Sequence, residues 1–448
     1  MSAAATLRTD PLADDAIAAI LDGHDGSPWE AIAIVNRLIG QWQTNGQLAA
    51  WQAPADTPPA IAAPLQAYVQ AARQLPSWAD AEQIARAEQL FMDMSMMSCT
   101  LLFCASLPEC YVVPDLAGVL HVAGQLEAHT DYRVRSTAAM IFPVMLHGGL
   151  TSADGGGIAQ VLKVRLIHAT IRHLIVRGNP STVAQDSVLA PLDTPCRHLY
   201  DTLYANGWDV SRHGMPCNQQ ELAYTLLTFH YIFLRGLRQL GLGLAREDEE
   251  AYLHAWNVMG HVLGIEDVQM SHTMDDAQAA FDLLQARGRQ SAYLPDPRPA
   301  LGSALMQAMA AYIPLRVLKP FPVLLTRYLC GDAARIDLAL DQRVNLLSRL
   351  LFALGMGVTR AIDTLVRLVL PQFSICRMMT RIVGYQFTAR FLMDQTRPLK
   401  LPATLLNQVD AVVRSWGNDP KAPRWMNALE ARLAGRRQRS AAGDQQPC

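Results

Sequence analysis

The segment KVRLIHATIRHLI, from Lys163 to Ile175, contains an ionisable imidazole within a stripe that otherwise has the pattern of a buried helix. An α-helix places Val164, His168 and Ile171 on one face, because they are separated by four and three residues. Ile175, four residues further on, extends that face. Two interpretations fit this segment alone. His168 is either a core histidine bonded to a carbonyl group, or a ligand of a metal ion or a haem iron.

Two arginines flank this imidazole on the same side of the predicted helix. Arg165 lies three residues before His168 and Arg172 lies four residues after it, whereas His173 points to a different face. A guanidinium group forms paired hydrogen bonds with a carboxylate. If His168 binds a haem or a metal ion, Arg165 and Arg172 are therefore candidates to hold acidic groups at that site.

The composition is that of a large globular protein. The chain has 448 residues, of which 50% are hydrophobic and 17% are charged, which is enough to build a sizeable core. The chain has 38 Lys and Arg residues and 40 Asp and Glu residues, so its net charge gives no reason to expect a nucleic-acid partner. The 8 cysteines have no CxxC or Cys/His spacing of the zinc type and are expected to be mostly reduced thiols.

Neither the N-terminal segment nor the longest apolar run has the pattern of a targeting or membrane signal. Residues 1–23 carry acidic side chains where a secretory signal needs an uninterrupted apolar stretch, which predicts a cytoplasmic location. The apolar run from Met94 to Leu107 ends at Pro108 and Glu109 and is shorter than the roughly 20 residues of a spanning helix. We therefore expect no integral membrane span.

Helical periodicity dominates the chain, and no alternating strand pattern longer than a few residues occurs. The sequence therefore predicts an all-α fold that forms one large helical domain. Helices are expected at about residues 80–107, 114–126, 131–146, 158–177, 218–242, 247–264 and 271–288, and later at 346–370 and 401–416. Asn218 is the expected N-cap of its helix, with Glu221 at the capping-box position.

Breaks in this pattern divide the chain into four parts. Residues 1–79 are predicted as an N-terminal helical extension that ends with a loop rich in Pro and Ala, QAPADTPPAIAAP at 52–64. Residues 80–345 form the main helical domain. Residues 346–434 are predicted as C-terminal helices packed on the core, and residues 435–448 as a disordered tail.

Five motifs follow one another in the main domain. They are LLFCASLPECYVVPDLAGVLHVAGQL (101–126), YRVRSTAAM (132–140), GGGIAQVLKVRLIHATIR (155–172), GMPCNQQELAYTLLTF (214–229) and EDEEAYLHAWNVMGHVLGI (247–265). In this order they resemble the latex clearing protein family of rubber oxygenases and the related MpaB-type oxygenases, over roughly residues 90–345. The VRLxHAxxR helix followed by GxPxNQxxLxxT is the most specific part of the resemblance.

The resemblance implies a globin-like helical core that holds a b-type haem, iron protoporphyrin IX, without thioether links. The iron ligand of the family matches His168, which makes this residue the expected metal ligand. Arg165 and Arg172 become candidates to bind the carboxylates of that cofactor. His254 and His261 are the alternative positions for an iron ligand.

A second set of residues in the family lies beside the haem. Arg133 and Thr137 match an arginine and a threonine of this set, and their separation of four residues places them on one helical face. The resemblance makes them the candidate catalytic residues, which would orient species derived from dioxygen or a haem propionate.

The chain departs from the rubber-cleaving members at two positions. Those members have a lysine where this chain has Ser136, and a glutamate near the position of Ala117. The nearest acidic residues here are Asp115 and Glu109. We therefore expect a substrate other than the bulk polymer.

The resemblance implies a b-type haem-dependent oxygenase. It would use dioxygen to oxidise or cleave a carbon–carbon double bond of an apolar small molecule or lipid, with isoprenoids among the candidates. One alternative is a haem peroxidase or monooxygenase that acts on a different small lipid. Another is a non-catalytic protein that binds haem or senses haem or a gas.

Overall fold

A computed structural model of the chain describes residues 6–26, 28–122, 137, 140–177, 208–291, 293–311, 313 and 315–369. All regular elements within these ranges are helices, and no strand occurs in them. The predicted all-α fold is therefore confirmed. The globin-like character of its core stays a prediction.

The helices of the described ranges are numbered in chain order. They are α1 (Pro11–Gly23), α2 (Pro28–Ile39), α3 (Asn45–Ala49), α4 (Pro59–Ala72), α5 (Ala81–Asp93), α6 (Ser95–Leu101), α7 (Leu107–Tyr111), α8 (Pro114–Val122), α9 (Gly157–Arg177), α10 (Val210–His213), α11 (Gln219–Gln239), α12 (Arg246–Val262), α13 (Met274–Gly288), α14 (Arg298–Ala311), α15 (Phe321–Asp337) and α16 (Leu346–Val369). A π-helix, Leu102–Ser106, joins α6 to α7, and residues 140–145 are also helical.

The central helices end close to where the sequence predicts. α9, α11, α12 and α13 each begin and end within a few residues of the expected positions. Asn218 caps α11 as predicted, since its Oδ1 accepts the backbone N–H groups of Gln220 at 3.0 Å and Glu221 at 3.1 Å. The Glu221 carboxylate in turn accepts the backbone N–H of Asn218, which completes a capping box.

The helix predicted at 80–107 is interrupted. α5 ends at Asp93, and the following helical segment is bent away from it by 89°. No Gly or Pro marks the break, so periodicity alone predicts a continuous helix. The buried hydroxyl of Ser98 donates to the carbonyl of Phe91 at 3.0 Å and satisfies an acceptor that an unbroken helix would have used.

The loop predicted at 52–64 is also shorter than expected. α4 begins at Pro59, and Pro64 lies within it. Proline is favourable in the first turn of a helix, where its missing N–H has no partner to lose. The buried side chains of Leu65 and Tyr68 then hold the helix on the core.

α9 and α11 form the centre of the molecule. α9 packs against α1, α3 and α12, and α11 packs against α6, α7, α12, α13 and the π-helix. α11 is buried on nearly all sides, which is typical of a central helix. At the periphery, α15 packs against the π-helix, α14 and α16.

The predicted N-terminal extension is packed into this core. α4 packs against α1, and the Tyr68 hydroxyl donates to the carbonyl of Leu162 in α9 at 3.0 Å. The predicted helix at 401–416 and the tail lie outside the described residues. Among the described residues, no single helix has both the length and the apolar character of a membrane span; α5 together with Met97–Tyr111 meets the criteria only as a bent pair.

Candidate functional site

α9 carries His168 on the more accessible of its two faces. Leu166 and Ala169 are fully buried on one face, whereas Val164, His168 and Ile171 are half-buried on the opposite face. The first three positions of the stripe predicted as core therefore lie on the half-covered side of the helix, whereas Ile175, at the end of the stripe, is fully buried. An apolar, half-covered surface with one imidazole at its centre has the chemistry that a porphyrin and its iron require.

Arg165 holds α9 against the N-terminal helix. Its Nε and Nη2 donate to the two carboxylate oxygens of Asp10, each at 2.6 Å, and its Nη1 donates to the carbonyl of Val262 at 3.0 Å. Burial acts to lower the pKa of this guanidinium, but the hydrogen bonds and charge of Asp10 outweigh burial and raise the pKa. The ion pair is thus a buried, bidentate one.

Arg172 makes a corresponding set of contacts one turn beyond His168. Its Nε donates to the carbonyl of Pro216 and its Nη2 to the carbonyl of Cys217, both at 2.9 Å, while Nη1 donates to Asp14 of α1. The carboxylates held by the two arginines in this structure are therefore protein groups. These contacts fix α9, and binding of a cofactor carboxylate by Arg165 or Arg172 stays a prediction.

The N-terminus of α9 is capped by a side chain from a distant element. Asn45 Oδ1 accepts the backbone N–H groups of Ile158 at 3.0 Å and Ala159 at 3.3 Å, and Asn45 Nδ2 donates to the carbonyl of Gly149 at 2.9 Å. These are two of the donors that a helix leaves unpaired at its start. The amide therefore fixes where α9 begins.

The glycine-rich connection before α9 is held by a buried carboxylate. Glu88 of α5 accepts the backbone N–H groups of Gly148 at 2.8 Å and Gly149 at 3.1 Å. Burial raises the pKa of Glu88 to about 7, and these hydrogen bonds oppose the shift. Gly148 has a φ of 70°, a left-handed conformation that favours glycine.

The two candidate catalytic residues can be located only in part. Thr137 is a half-buried helical residue. Arg133 and Ser136 lie outside the described residues. The predicted pairing of Arg133 with Thr137 beside a cofactor therefore stays a prediction.

A carboxylate and an imidazole meet near the position where the family has its glutamate. Asp115 Oδ1 lies 2.7 Å from His213 Nδ1, and both side chains are largely buried. The rings of Trp208 and Tyr293 lie 5.4 Å and 5.3 Å from the His213 ring and enclose the pair. A carboxylate fixes the orientation and tautomer of its imidazole, so this pair can hold or transfer a proton.

Glu221 connects this pair to α9. Its carboxyl group accepts the backbone N–H of Cys217, whose carbonyl in turn accepts from Arg172. Burial, together with the negative charge of Asp115, raises the pKa of Glu221 to about 8. Within the described part of the chain, its Oε2 has no hydrogen-bond partner. A pKa near 8 favours the protonated carboxyl group of Glu221 at neutral pH, a property that its predicted capping role does not imply.

Glu109, the other acidic residue near that position, serves a different purpose. It is buried, and its carboxylate accepts Arg235 Nη2 at 2.7 Å and Gln285 Nε2 at 2.8 Å. Burial raises the pKa of Glu109, and the charge of Arg235 opposes the shift. Glu109 joins α7, α11 and α13, so Asp115 is the better candidate for chemistry.

The alternative histidines of α12 lie in a surface cluster around Trp78. His254 Nε2 accepts the backbone N–H of Asp80 at 2.9 Å, and His261 Nδ1 lies 2.8 Å from Asp267 Oδ1. Both rings meet the Trp78 ring edge to face, with centroids 5.7 Å and 6.0 Å away. These contacts fit a structural role.

His230 of α11 is a buried histidine that the sequence analysis missed. Burial lowers its pKa to about 3, so its imidazole is neutral. Neither ring nitrogen has a hydrogen-bond partner among the described residues. Its position in the apolar run LLTFHYIF gave no signal, because the run reads as continuous core.

Comparison with known proteins places these features in a family. The family described as ER-bound oxygenase mpaB/B'/Rubber oxygenase, catalytic domain, matches residues 91–361. The chain is 26% identical over 275 residues to the Rubber oxygenase of Streptomyces sp. (strain K30), a match that covers 60% of this chain and 56% of that protein. The chain therefore matches little more than half the length of this relative.

The backbone is also similar to a solved structure. The "Structure of Latex Clearing Protein LCP in the closed state" aligns with a TM-score of 0.59 and 20% identity, over 92% of this chain and 90% of that chain. At this identity the similarity shows a shared helical fold. Because the family match covers more than half of the chain and includes the whole of α9, the protein belongs to the family of mpaB/B' and rubber oxygenase catalytic domains.

Proposed function

We propose that the protein is a b-type haem-dependent oxygenase that uses dioxygen to oxidise or cleave a carbon–carbon double bond of an apolar substrate, with isoprenoids as the first candidates. The observation that carries the proposal is the position of His168. It is the one imidazole on the half-buried apolar face of α9, inside the segment that matches the oxygenase family.

The residues around His168 fit such a cofactor. The imidazole would bind the iron, and Val164 and Ile171 would pack on the porphyrin. When bound, the haem would supply the activation of dioxygen, a reaction that no amino-acid side chain performs. The protein contributes the ligand, the apolar surface and the orientation.

The contacts of α9 would keep this imidazole in a fixed position. The ion pairs of Arg165 with Asp10 and of Arg172 with Asp14 lie on either side of His168 along the helix. Asn45 fixes the start of the same helix. An active site performs best when its ligands are held by a rigid surrounding structure, and these contacts provide one.

Asp115, His213 and Glu221 would manage protons at the site. The Asp115–His213 pair can accept or release a proton, and the neutral carboxyl group of Glu221 holds one at neutral pH. Thr137 and Arg133 would orient the reacting species through a hydroxyl and a guanidinium group. The substrate class is proposed from the Rubber oxygenase, by name an oxygenase of a polyisoprene.

The visible spectrum of the purified protein tests the proposal first. We expect a Soret band that shifts after reduction with dithionite and again after addition of carbon monoxide. Oxygen consumption in the presence of a small unsaturated lipid, with analysis for carbonyl products, then separates an oxygenase from a haem carrier. A colourless protein that binds no added haemin would refute the proposal.

A further inference from the structure

Two cysteines and two methionines converge where α15 packs against the π-helix and α14. Cys104 belongs to the π-helix, Met306 and Met309 belong to α14, and Cys330 belongs to α15. The two methionines are three residues apart, so they share one face of their helix. These four residues are called the sulfur site below.

Short contacts link the two thiols and one thioether of the sulfur site. Cys104 Sγ lies 3.9 Å from Met309 Sδ. Cys330 Sγ lies 3.6 Å from the carbonyl oxygen of Cys104 and 3.7 Å from that of Ala105, so the second thiol reaches the backbone that carries the first. Metal–sulfur bonds of about 2.3 Å with trigonal or tetrahedral angles separate two sulfur ligands by roughly 3.8–4.0 Å. The separation of the Cys104 and Met309 sulfur atoms falls in this range.

A buried hydroxyl group connects the remaining thioether to the sulfur site. Thr326 lies four residues before Cys330, on the same face of α15. Its Oγ1 donates to Met306 Sδ at 3.7 Å and also interacts with the Cys104 thiol. A hydroxyl group that hydrogen-bonds a thiol stabilises the thiolate, which is the form that binds a metal ion.

The charge around the second thiol also favours a thiolate. Arg235 of α11 donates to the carbonyl of Leu329, the residue before Cys330, at 3.4 Å. Burial raises the pKa of Cys330, and the positive charge of Arg235 opposes the shift. Burial raises the pKa of Cys104 to about 12. Both thiols therefore keep their protons at neutral pH until a metal ion displaces them.

The backbone at both cysteines departs from a regular α-helix. Cys104 lies in a π-helical turn, a rare conformation that often occurs at functional sites. Gly331, next to Cys330, has a φ of 81° and interrupts α15. Cys330 and Met309 are half-buried, whereas Cys104 and Met306 are buried. Solvent therefore contacts the sulfur site from the side of Cys330 and Met309.

The types of ligand select the metal ion. Among the described residues, no three His, Cys, Asp or Glu side chains are grouped around a common metal position, so two thiolates need a thioether as their third ligand. Thiolate and thioether ligands are soft and select Cu(I), whereas Zn²⁺ sites use thiolate, imidazole and carboxylate ligands. From the convergence and spacing of these sulfur atoms, we infer that Cys104, Cys330 and Met309 bind one Cu(I) ion, with Met306 beside them.

The binding step is a replacement of protons by the metal ion. Two S–H bonds break, two Cu–S bonds form, and two protons are released, while the Met309 sulfur donates a lone pair. The copper stays in the Cu(I) state, so no electron is transferred. The resulting complex carries one negative charge, and the Arg235 guanidinium lies on the side of Cys330 to offset it. The inference goes beyond the proposed oxygenase activity and does not depend on it, because copper binding is measured without substrate.

Competition for Cu(I) tests the inference on the reduced full-length protein. Under anaerobic conditions, the protein and the chelator bathocuproine disulfonate compete for Cu(I), and the absorbance of the chelator complex reports the copper that the protein has lost. We expect each chain to retain one ion, with a thiolate-to-copper charge-transfer band and a first coordination shell of sulfur alone in X-ray absorption. The affinity should rise with pH, because binding releases protons. Zn²⁺ should bind more weakly than Cu(I).

Substitutions of the ligands test which residues hold the ion. Cys104→Ser and Cys330→Ser should each lower the affinity for Cu(I) at least about a hundredfold, because each removes a thiolate ligand. Met309→Leu nearly keeps the volume of the side chain and should lower the affinity about tenfold. Cys110→Ser is the matched control, since Cys110 is a buried cysteine of α7 whose thiol lies 2.8 Å from Thr228 Oγ1, a contact that serine can keep.

The control variant should bind copper like the unchanged protein, and circular dichroism should show that all variants are folded. Complete transfer of copper from the reduced protein to the chelator would overturn the inference. So would an unchanged affinity in Cys104→Ser and Cys330→Ser, an equal loss in Cys110→Ser, or tighter binding of Zn²⁺ than of Cu(I).

Discussion

At the scale of single residues, the proposed function depends on one imidazole and on the few groups that control its surroundings. His168 is half-buried on an apolar face, which limits the access of water to its imidazole. Burial, together with the charge of Asp115, raises the pKa of Glu221 to about 8. Each of these residues therefore has a specific chemical state that a substitution can test.

His168→Ala should fold but retain little haem. The imidazole supplies a coordination bond as well as an orientation, and apolar packing cannot replace that bond. Haem content is measured by the pyridine haemochrome spectrum after purification, and added imidazole should partly restore the visible spectrum.

His173→Ala is the control for this change, because His173 lies on another face and contacts the carbonyl of Asp14 at 3.2 Å. It should keep its haem. If His168→Ala binds stoichiometric haem with an unaltered spectrum, His168 is a core histidine, and His230→Phe becomes the next variant to examine.

Arg133→Ala and Thr137→Ala should lower turnover more than haem content. Loss of a hydrogen bond of about 1–3 kcal/mol to the reacting species slows a reaction by roughly one to two powers of ten. Steady-state oxygen consumption is compared with haem content for each variant. Loss of haem in both variants would make them cofactor-binding residues, and unchanged turnover in both would give them a structural role.

Glu221→Gln should change how stability depends on pH. The pKa of Glu221 is about 8 in the folded protein and 4.5 when it is unperturbed, so the folded state binds more protons between these values. The contribution of Glu221 to the free energy of unfolding is therefore full below about pH 4.5 and is lost as the pH rises towards about 8. Glutamine does not titrate, so thermal melts of the variant should lose less stability than the unchanged protein between pH 5 and 8. Parallel melting curves would contradict the assignment.

At the scale of secondary structure elements, the central feature is the attachment of α1 to α9. Two ion pairs join this part of the chain to α9. Asp10 pairs with Arg165, which lies 155 positions later in the chain, and Asp14 pairs with Arg172, which lies 158 positions later. Tyr68 adds a hydrogen bond from α4 to the same helix. The N-terminal helices therefore act as a brace for the helix that carries His168.

Asp10→Ala should destabilise the protein by about 3–5 kcal/mol, because it leaves the Arg165 guanidinium buried without its carboxylate. Chemical denaturation measures the change. Glu250→Ala is the matched control, since Arg246 and Glu250 form an exposed pair one helical turn apart, and the loss of this pair should change the free energy of unfolding very little. The double variant Asp10→Leu and Arg165→Met should recover part of the loss. If Asp10→Ala lowers the free energy of unfolding as little as the control variant does, the pair of Asp10 and Arg165 is not important for the fold.

At the scale of the whole molecule, a helical body presents a proposed site on α9. The family includes proteins named as rubber oxygenases. The resemblance implies a lysine in the rubber-cleaving members where this chain has Ser136, and a glutamate near Ala117, where the nearest acidic residues of this chain are Asp115 and Glu109. Both positions lie outside α9, the helix that carries His168.

We therefore expect a small unsaturated lipid to be a better substrate than latex. Oxygen uptake and mass spectrometry of carbonyl products are measured with a short isoprenoid and with purified polyisoprene under the same conditions. The short substrate should react at least about tenfold faster, as a difference of about 1.4 kcal/mol in the barrier would give. Abundant carbonyl-ended oligomers from latex would contradict this expectation.

The sequence by itself determined the helices and the candidate ligand. The bounds of α9, α11, α12 and α13 follow from apolar periodicity, and the Asn218 cap follows from its side chain, because both depend on interactions within a few residues. The motif around His168 likewise identified the family without a structure. Local patterns of this kind can be predicted from the sequence because they depend on residues that are close together in the chain.

Only the tertiary structure decided which face of α9 is covered and what its arginines bind. Periodicity predicted a buried stripe around His168, but only Ile175 of that stripe is fully buried, and Val164, His168 and Ile171 are half-buried because the described helices cover the opposite face more closely. Asp10 and Asp14 gave no signal in the sequence, since nothing local relates them to Arg165 and Arg172. The same holds for the choice between Glu109 and Asp115. Partners brought together from distant positions depend on how whole helices pack, and packing is a property of the complete chain.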